Sequence, residues 1–264
     1  MIKTKRVSLL DYAFAVGKIR ALETRLIKRN IFEEMVDTSP IDEALKILSE
    51  AGDYPDEVMR IKDSTNLESI LKKESEKNTT LVKKLLLERE LFESLIWLDE
   101  PIKSLELTER CKNTFLISFL RHFIDLANIK LFLRMINLGR PKDDLAKMLF
   151  IGGYIGRDSF LKIYDEPLYM FISNFRYTDY AEAVREGTEY FQRQNSFLRL
   201  ERKIDDYLIG FLKQAKYITF GPEPILAYYL AKQNEIKLIR WVIIGKLNDL
   251  PKEEILERLN DTYV

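Results

Sequence analysis

A stretch of thirteen residues occurs twice in this chain, and it constrains the fold more than any other feature. The copies are Asn128–Arg140 and Asn234–Lys246, with their Asn residues 106 positions apart in a chain of 264. Each Asn is followed by Arg at the sixth position (Arg134, Arg240), Gly at the eleventh (Gly139, Gly245) and a basic residue at the twelfth. Both copies run into a short acidic segment, Pro141–Leu145 and Pro251–Ile255. A long internal duplication in a chain poor in catalytic residue types points to a scaffold with pseudo-symmetry rather than one active site. A degenerate third copy fits at the N-terminus, with Gly17 at the Asn position, Arg29 at the basic one and Glu33 and Glu34 as the acidic pair. That gives three helical units of about ninety residues each.

The apolar spacing is helical almost throughout. Tyr12, Ala15, Ile19, Leu22 and Leu26 recur at intervals of three and four, one face of an amphipathic helix that Ser8 can cap and Asn30 can end. Ser39, Pro40, Asp42 and Glu43 open a second helix that Gly52 stops. A third is predicted over 66–97, with Leu81, Leu85, Phe92 and Leu95 on its buried side, separated by Pro101 from a long helix over 105–138. Residues 158–175 are less regular. Thr178 and Ser196 are expected to cap helices reaching about 192 and 213, Gly221–Pro224 to open a long helix ending near Leu247, and Pro251 to start the last. No β-hairpin signal is present, so the fold class is all-α. Nothing reads as a linker or low-complexity tract, so sub-domains should pack together.

Composition narrows the function classes. The chain has length for one to three domains, and Lys plus Arg balances Asp plus Glu at 42 each. That balance does not favour a phosphate backbone as partner. A single cysteine, Cys111, cannot form an internal disulfide and fits a reducing cytosol. Lys3, Lys5 and Arg6 before the run from Ser8 to Gly17 faintly resemble a signal peptide, but Asp11 interrupts the run and Lys18 and Arg20 follow it. The apolar stretches 115–138 and 225–247 carry too many charges for the ~20 apolar residues a membrane span requires. The expectation is a soluble protein with no span.

Three segments carry a family resemblance. The run Phe220–Asn248, with Leu250–Ile255 and the terminal Tyr263 and Val264, strongly resembles the C subunit of archaeal and bacterial V-type (A-type) ATPases, whose eukaryotic counterpart is the d subunit. Phe119–Lys130 with Arg134, Gly152 and Gly153 is similar to that family's second repeat, and Tyr12 with Arg20 and Glu23 to its N-terminal signature. The resemblance implies three similar all-helical sub-domains around a pseudo-threefold axis, shaped like a funnel. It divides the chain into 1–100, then 101–157 with part of 158–175, then 176–264 with part of the N-terminal region. It implies a central-stalk rotor subunit on the cytoplasmic face of the membrane. That subunit would meet the cytoplasmic loops of the proteolipid ring and receive the coiled-coil shaft and its companion. It would lack catalytic, cofactor and metal sites and be a monomer when isolated. Glu23, Asn128, Arg134, Gly139, Asn234, Arg240 and Gly245 form the structural motif. Gly152, Gly153, Arg157, Gly221 and Glu223 are assigned to a partner-contact rim. The chain is shorter than other members of that family, which implies trimmed inter-helix loops.

Each tempting constellation also has a plain reading. Arg134 and Arg240 lie on very apolar helices, where a partly buried cation needs a carboxylate; the candidates are Glu23, Asp158, Glu201 and Asp205. Asn128 and Asn234 are poor helix formers, and their repetition points to a repeated bonding need, met at the backbone of an adjacent helix end. Asp143–Asp144 and Glu253–Glu254 follow a Pro-Lys pair, where acids stabilise a helix N-terminus without any general acid or base role. His122 and Cys111, if on one helix, stand roughly 16 Å apart and cannot form a dyad. Gly152–Gly156 lacks the Lys-Ser/Thr ending of a nucleotide loop and reads as a turn. Arg176, Arg193, Arg199, Arg202 and Lys203 alternate with Glu182, Glu186, Glu189, Glu201, Asp205 and Asp206, a solvated helix face rather than a nucleic-acid surface.

Two rival readings stand beside the rotor role. One is a stand-alone helical-repeat interaction protein, distinguished by failure to co-purify with a proteolipid ring. The other is an enzyme using surface carboxylates or the glycine loop, distinguished by a pocket of converging polar groups with perturbed pKa values.

Overall fold

The computed structural model describes residues 8–96, 103, 105, 106, 109, 110 and 112–264. Lys3, Lys5, Arg6, Pro101 and Cys111 lie outside the described residues. All regular structure among the described residues is helical, as the periodicity requires. In chain order the helices are α1 (Ala13–Glu23), α2 (Arg29–Asp37), α3 (Ile41–Ala51), α4 (Ser64–Leu85), α5 (Arg89–Ile96), α6 (Thr114–Asn137), α7 (Lys142–Met148), α8 (Arg157–Lys162), α9 (Leu168–Phe175), α10 (Ala181–Gln194), α11 (Leu198–Leu212), α12 (Glu223–Leu247) and α13 (Lys252–Arg258). Three 3-10 turns join them: Leu9–Tyr12, Asp56–Arg60 and Lys213–Tyr217.

Several predicted boundaries are corrected. The first helix ends at Glu23 rather than near Asn30, and Arg29 starts a new one. The break lets Ile27 and Phe32 both turn inward, where they are fully buried. The helix expected over 66–97 is interrupted between Leu85 and Arg89, where the Leu87 N–H donates to the Tyr12 hydroxyl at 3.1 Å. The long helix expected over 105–138 is interrupted at Lys112 and Asn113: Leu105, Glu106, Glu109 and Arg110 are helical, and α6 then starts at Thr114, capped by the Asn113 side chain, which accepts from the Leu116 N–H at 2.9 Å. Thr178 does not cap α10. Its hydroxyl bonds back to the Phe175 carbonyl, and Tyr180 holds the cap position. The boundaries at Gly52, Leu247 and Pro251 stand as expected.

The described residues form two compact units, one from the N-terminal part to Phe92 together with Leu212–Val264, the other Glu93–Phe211. In the first unit α12 is the central rod. Every residue from Pro224 to Lys232 is buried, which is why its sequence is apolar on all sides rather than along one stripe. Phe32, Met35, Leu45, Leu48 and Leu67 pack against Ile239, Val242 and Ile243. In the second unit α6 plays the corresponding part. Phe132 stacks on Phe171 at 4.3 Å between ring centres, and Phe160 meets Phe175 at 5.5 Å.

Candidate functional site

The two copies of the repeat fold into the same local device. α6 and α12 each end in a residue with positive φ, Gly139 (+58°) and Asp249 (+52°). The next amide reaches back into the last turn: Arg140 N–H to the Met135 carbonyl at 3.0 Å, Leu250 N–H to the Gly245 carbonyl at 2.9 Å. This is a left-handed helix stop. Pro141 and Pro251 then open α7 and α13, which bury Leu145 and Ile255 at equivalent positions. The repeated glycine nevertheless serves two ends. Gly139 is the stop residue itself. α12 runs about one turn further past its Asn than α6 does, which carries Gly245 inside the helix. A Cβ on Gly245 would come within 2.9 Å of Ile255, so this glycine permits α13 to lie close against α12.

The repeated Asn closes the device. Asn128 is wholly buried; its Nδ2 donates to the Phe150 carbonyl at 3.0 Å, and its Oδ1 accepts from the Phe150 N–H at 2.9 Å. An amide side chain thus satisfies both polar groups of one backbone residue just beyond α7. Asn234 donates to the Asp261 carbonyl at 3.3 Å and accepts from Asn260 Nδ2 at 3.1 Å, just beyond α13. The repeated Arg pairs with a carboxylate on another helix. Arg134 meets Glu201 at 2.6 Å, and Arg240 grips Glu68 through two bonds of 2.6 and 3.0 Å. Glu68 was not among the sequence candidates, and its pairing with Arg240 holds its carboxyl below the usual value. Of the other candidates, Glu23 is bound by Arg20, and neither copy's Arg pairs with Asp158 or Asp205.

Three buried polar networks surround these helices. In the first unit Glu235, nearly inaccessible within α12, receives three donors: Lys232 Nζ at 2.6 Å, the Tyr54 hydroxyl at 2.8 Å and the Ile27 N–H at 2.6 Å. The Lys232 ammonium also lies 4.4 Å from the centre of the Tyr54 ring. Burial and the Glu235 carboxylate push the Tyr54 phenol pKa well above its usual value. Beside this network opens a cleft of about 470 Å³ lined by Arg25, Asp53, Glu74, Lys77, Tyr228 and Lys232, among others. Its charges are matched in pairs, Arg25 with Asp53, Lys77 with Glu74 and Lys232 with Glu235. In the second network Arg20 Nη1 binds both oxygens of Glu23, while Nη2 donates to the carbonyls of Ala215, Lys216 and Ile218. The Tyr263 hydroxyl donates to Glu23 at 3.0 Å, which ties the last residues of the chain to α1.

The third network explains the glycine loop. Asp125, fully buried in α6, accepts from the Tyr154 N–H at 3.0 Å and the Ile155 N–H at 3.0 Å, one on each oxygen. It also accepts from the Tyr180 hydroxyl at 2.8 Å. The loop is an anion receptor, but its anion is the protein's own carboxylate. Gly153 passes so close that a Cβ there would collide with Asp125 Oδ1 and stand 3.2 Å from Ile124. Gly152 has φ +101°. Arg157 starts α8; Gly221 is buried with φ +123°, and Glu223 is half-buried at the start of α12.

The mixed helix face pairs internally: Lys203 with Glu182 and Glu186, Arg199 with Glu186, Arg202 with Asp206. Among the described residues no three His, Cys, Asp or Glu side chains gather where they could hold a metal, and no helix is long and apolar enough to cross a membrane. Sequence reasoning passed over the Tyr54–Lys232–Glu235 network. Its visible signal is an oppositely charged pair, Lys232 and Glu235, three residues apart directly after the apolar run Ile225–Ala231.

The family model described as ATP synthase (C/AC39) subunit matches residues 98–258. The C subunit of the V-type sodium ATPase of Enterococcus hirae is 33% identical over 141 residues, 53% of this chain and 42% of that protein. The C subunit of the A-type ATP synthase of Methanocaldococcus jannaschii is 27% identical over 161 residues, 59% of this chain and 40% of that one. For its counterpart in Methanobrevibacter smithii the figures are 25% over 248 residues, 91% and 63%. The matched stretches thus span less than two thirds of these relatives' own lengths.

Proposed function

The chain belongs to the ATP synthase (C/AC39) subunit family, and from that premise we propose that it is a non-catalytic central-stalk component of a V/A-type rotary ATPase. In this reading it couples the central shaft and its companion to the proteolipid ring, on the cytoplasmic side of the membrane. The carrying observation is the family match over 98–258, which takes in both copies of the repeat. The division into three helical units belongs to the same proposal.

The physical character of the helices supports it. A part that transmits torque needs stiffness rather than reactive groups. α6 and α12 are packed on most sides, and close-packed interiors transmit strain. Their polar residues tie neighbouring segments in place instead of facing a substrate: Asn128 to Phe150, Glu235 to Ile27 and Tyr54. The charges of the cleft in the first unit are matched in pairs, Arg25 with Asp53, Lys77 with Glu74 and Lys232 with Glu235. Of the rim positions, the proposal gives most weight to the loop 151–157, whose Ile151 and Tyr154 side chains are exposed.

The deciding experiment is recovery of the tagged full chain from native membranes under mild detergent, scored for shaft and proteolipid-ring proteins. Co-purification of both is expected. Recovery of the chain with neither, from membranes that contain the assembled ATPase, overturns the reading.

A further inference from the structure

The Asp125 network holds a proton arrangement that its distances define. Tyr180 Oη stands 2.8 Å from Asp125 Oδ2 and 2.7 Å from His122 Nδ1. The phenol has one proton and two partners that could take it. With Asp125 ionised, the proton lies toward the carboxylate. The 2.7 Å contact on the other side then needs its own proton, because two lone pairs do not approach so closely. His122 must therefore carry hydrogen on Nδ1 and donate to Tyr180. With Asp125 protonated the chain reverses: the carboxyl donates to Tyr180, and Tyr180 donates to a bare Nδ1, leaving the imidazole hydrogen on Nε2. Both imidazole hydrogen bonds fall on Nδ1, and the His122 side chain is only half-buried.

We propose that His122, Tyr180 and Asp125 form a proton wire, in which a proton taken up at His122 Nε2 is matched by one passed from Nδ1 to Tyr180 Oη and one from Tyr180 to Asp125 Oδ2. The balance is one proton gained: a neutral imidazole before and after, its hydrogen moved from Nδ1 to Nε2, and a carboxylate converted to a carboxylic acid. The wire connects a half-buried ring to a carboxyl with no exposure of its own. It also reaches the backbone, since the same carboxylate holds the Tyr154 and Ile155 amides. Bonds to an ionised acceptor are roughly twice as strong as bonds to a neutral one, so proton uptake loosens the loop.

The surroundings suit this exchange. Burial raises the Asp125 pKa against its three hydrogen bonds and lowers that of His122, so both groups are driven toward neutrality. Asp179 is the other nearby acid and favours a proton on His122. Tyr207 places its hydroxyl 3.1 Å from Nδ1, and burial raises its pKa to about 12, so it stays protonated and follows by rotation. Arg121 faces the Tyr154 ring at 5.7 Å and Glu109 at 3.6 Å. Phe211 and Tyr154 pack on the imidazole, limiting the water that could short-circuit the chain.

His122 is the sole histidine of the chain, so its nitrogen resonances need no assignment. The test is ¹⁵N NMR of histidine-labelled full-length protein across an acid titration, with amide exchange at Tyr154 and Ile155 corrected for intrinsic rate. The Nδ1–H tautomer is expected at neutral pH, giving way to Nε2–H on acidification as exchange of the two amides rises about tenfold. Asp125→Asn should fix the Nε2–H form at every pH. Tyr180→Phe, which keeps the ring, should leave the tautomer independent of pH whether or not the Asn variant folds. A histidine that is Nε2–H throughout and becomes an ordinary imidazolium in acid, alike in wild type and folded Tyr180→Phe, overturns the wire.

Discussion

Glu235 is the residue whose removal should injure this protein most for its size. It sits almost wholly inside α12 with Lys232, Tyr54 Oη and the Ile27 N–H all directed at it. Glu235→Leu fills similar volume but strands a buried ammonium and a buried backbone donor. Breaking a buried ion pair from one side costs about 3–5 kcal/mol. An orphaned buried donor adds about 1–3 kcal/mol, partly the same loss counted twice. A total of about 4 kcal/mol corresponds to a fall in melting temperature on the order of 10 °C. Lys232→Met should cost less, because Glu235 keeps two of its three donors. The double variant should recover part of the loss seen in Glu235→Leu, since no unpaired charge remains. Urea and thermal unfolding of the four proteins, followed by circular dichroism, complete a double-mutant cycle. A Glu235→Leu cost under about 1 kcal/mol, or a double variant weaker than the sum of the singles, refutes the account of a charge hub.

Other outcomes follow from the same geometry. Gly153→Ala forces a methyl onto Asp125 Oδ1 and should cost about 1–3 kcal/mol, measured by urea unfolding. Asn128→Ala leaves both polar groups of the Phe150 backbone unpaired, and a loss of about 2–4 kcal/mol is expected by the same measurement. Arg240→Leu removes an exposed pair, so stability should change by less than about 1 kcal/mol, while co-purification with shaft and ring reports any partner role. The His122 pKa lies below 6.5 in the fold, so its contribution is complete above that unfolded value and is lost as pH falls through the folded one. The Asp125 pKa is raised, so its contribution is present below 3.8 and lost as pH rises through the folded value. His122→Gln should therefore flatten the decline in melting temperature just below pH 6.5, read from melts across that range.

The helical character of this chain was legible because apolar spacing is a local property. Tyr12 to Leu26 predicts a buried face, and the structure buries Tyr12, Ala15, Ile19 and Leu26. Pro251 and the acids after it mark a helix start that needs no tertiary help. Breaks were less legible where they answer distant demands. The chain bends between Glu23 and Arg29 so that the Ile27 N–H can reach Glu235, more than two hundred residues away.

Spacing alone announced that Asn128 and Asn234, and Arg134 and Arg240, had matching duties; which groups they bind was settled by packing. Arg240 took Glu68 because α4 lies against α12, a neighbour no periodicity predicts. The paired glycines look equivalent on paper, but one extra helical turn makes Gly139 a stop and Gly245 a close-packing surface. The glycine loop likewise looked like a turn, and only the fold brought Asp125 to it from α6. Local sequence determined where helices form, since backbone hydrogen bonds and amphipathic spacing act over a few residues. The fold decided which buried polar groups meet, since a desolvated charge or amide takes whatever partner the assembled core places within about 3 Å.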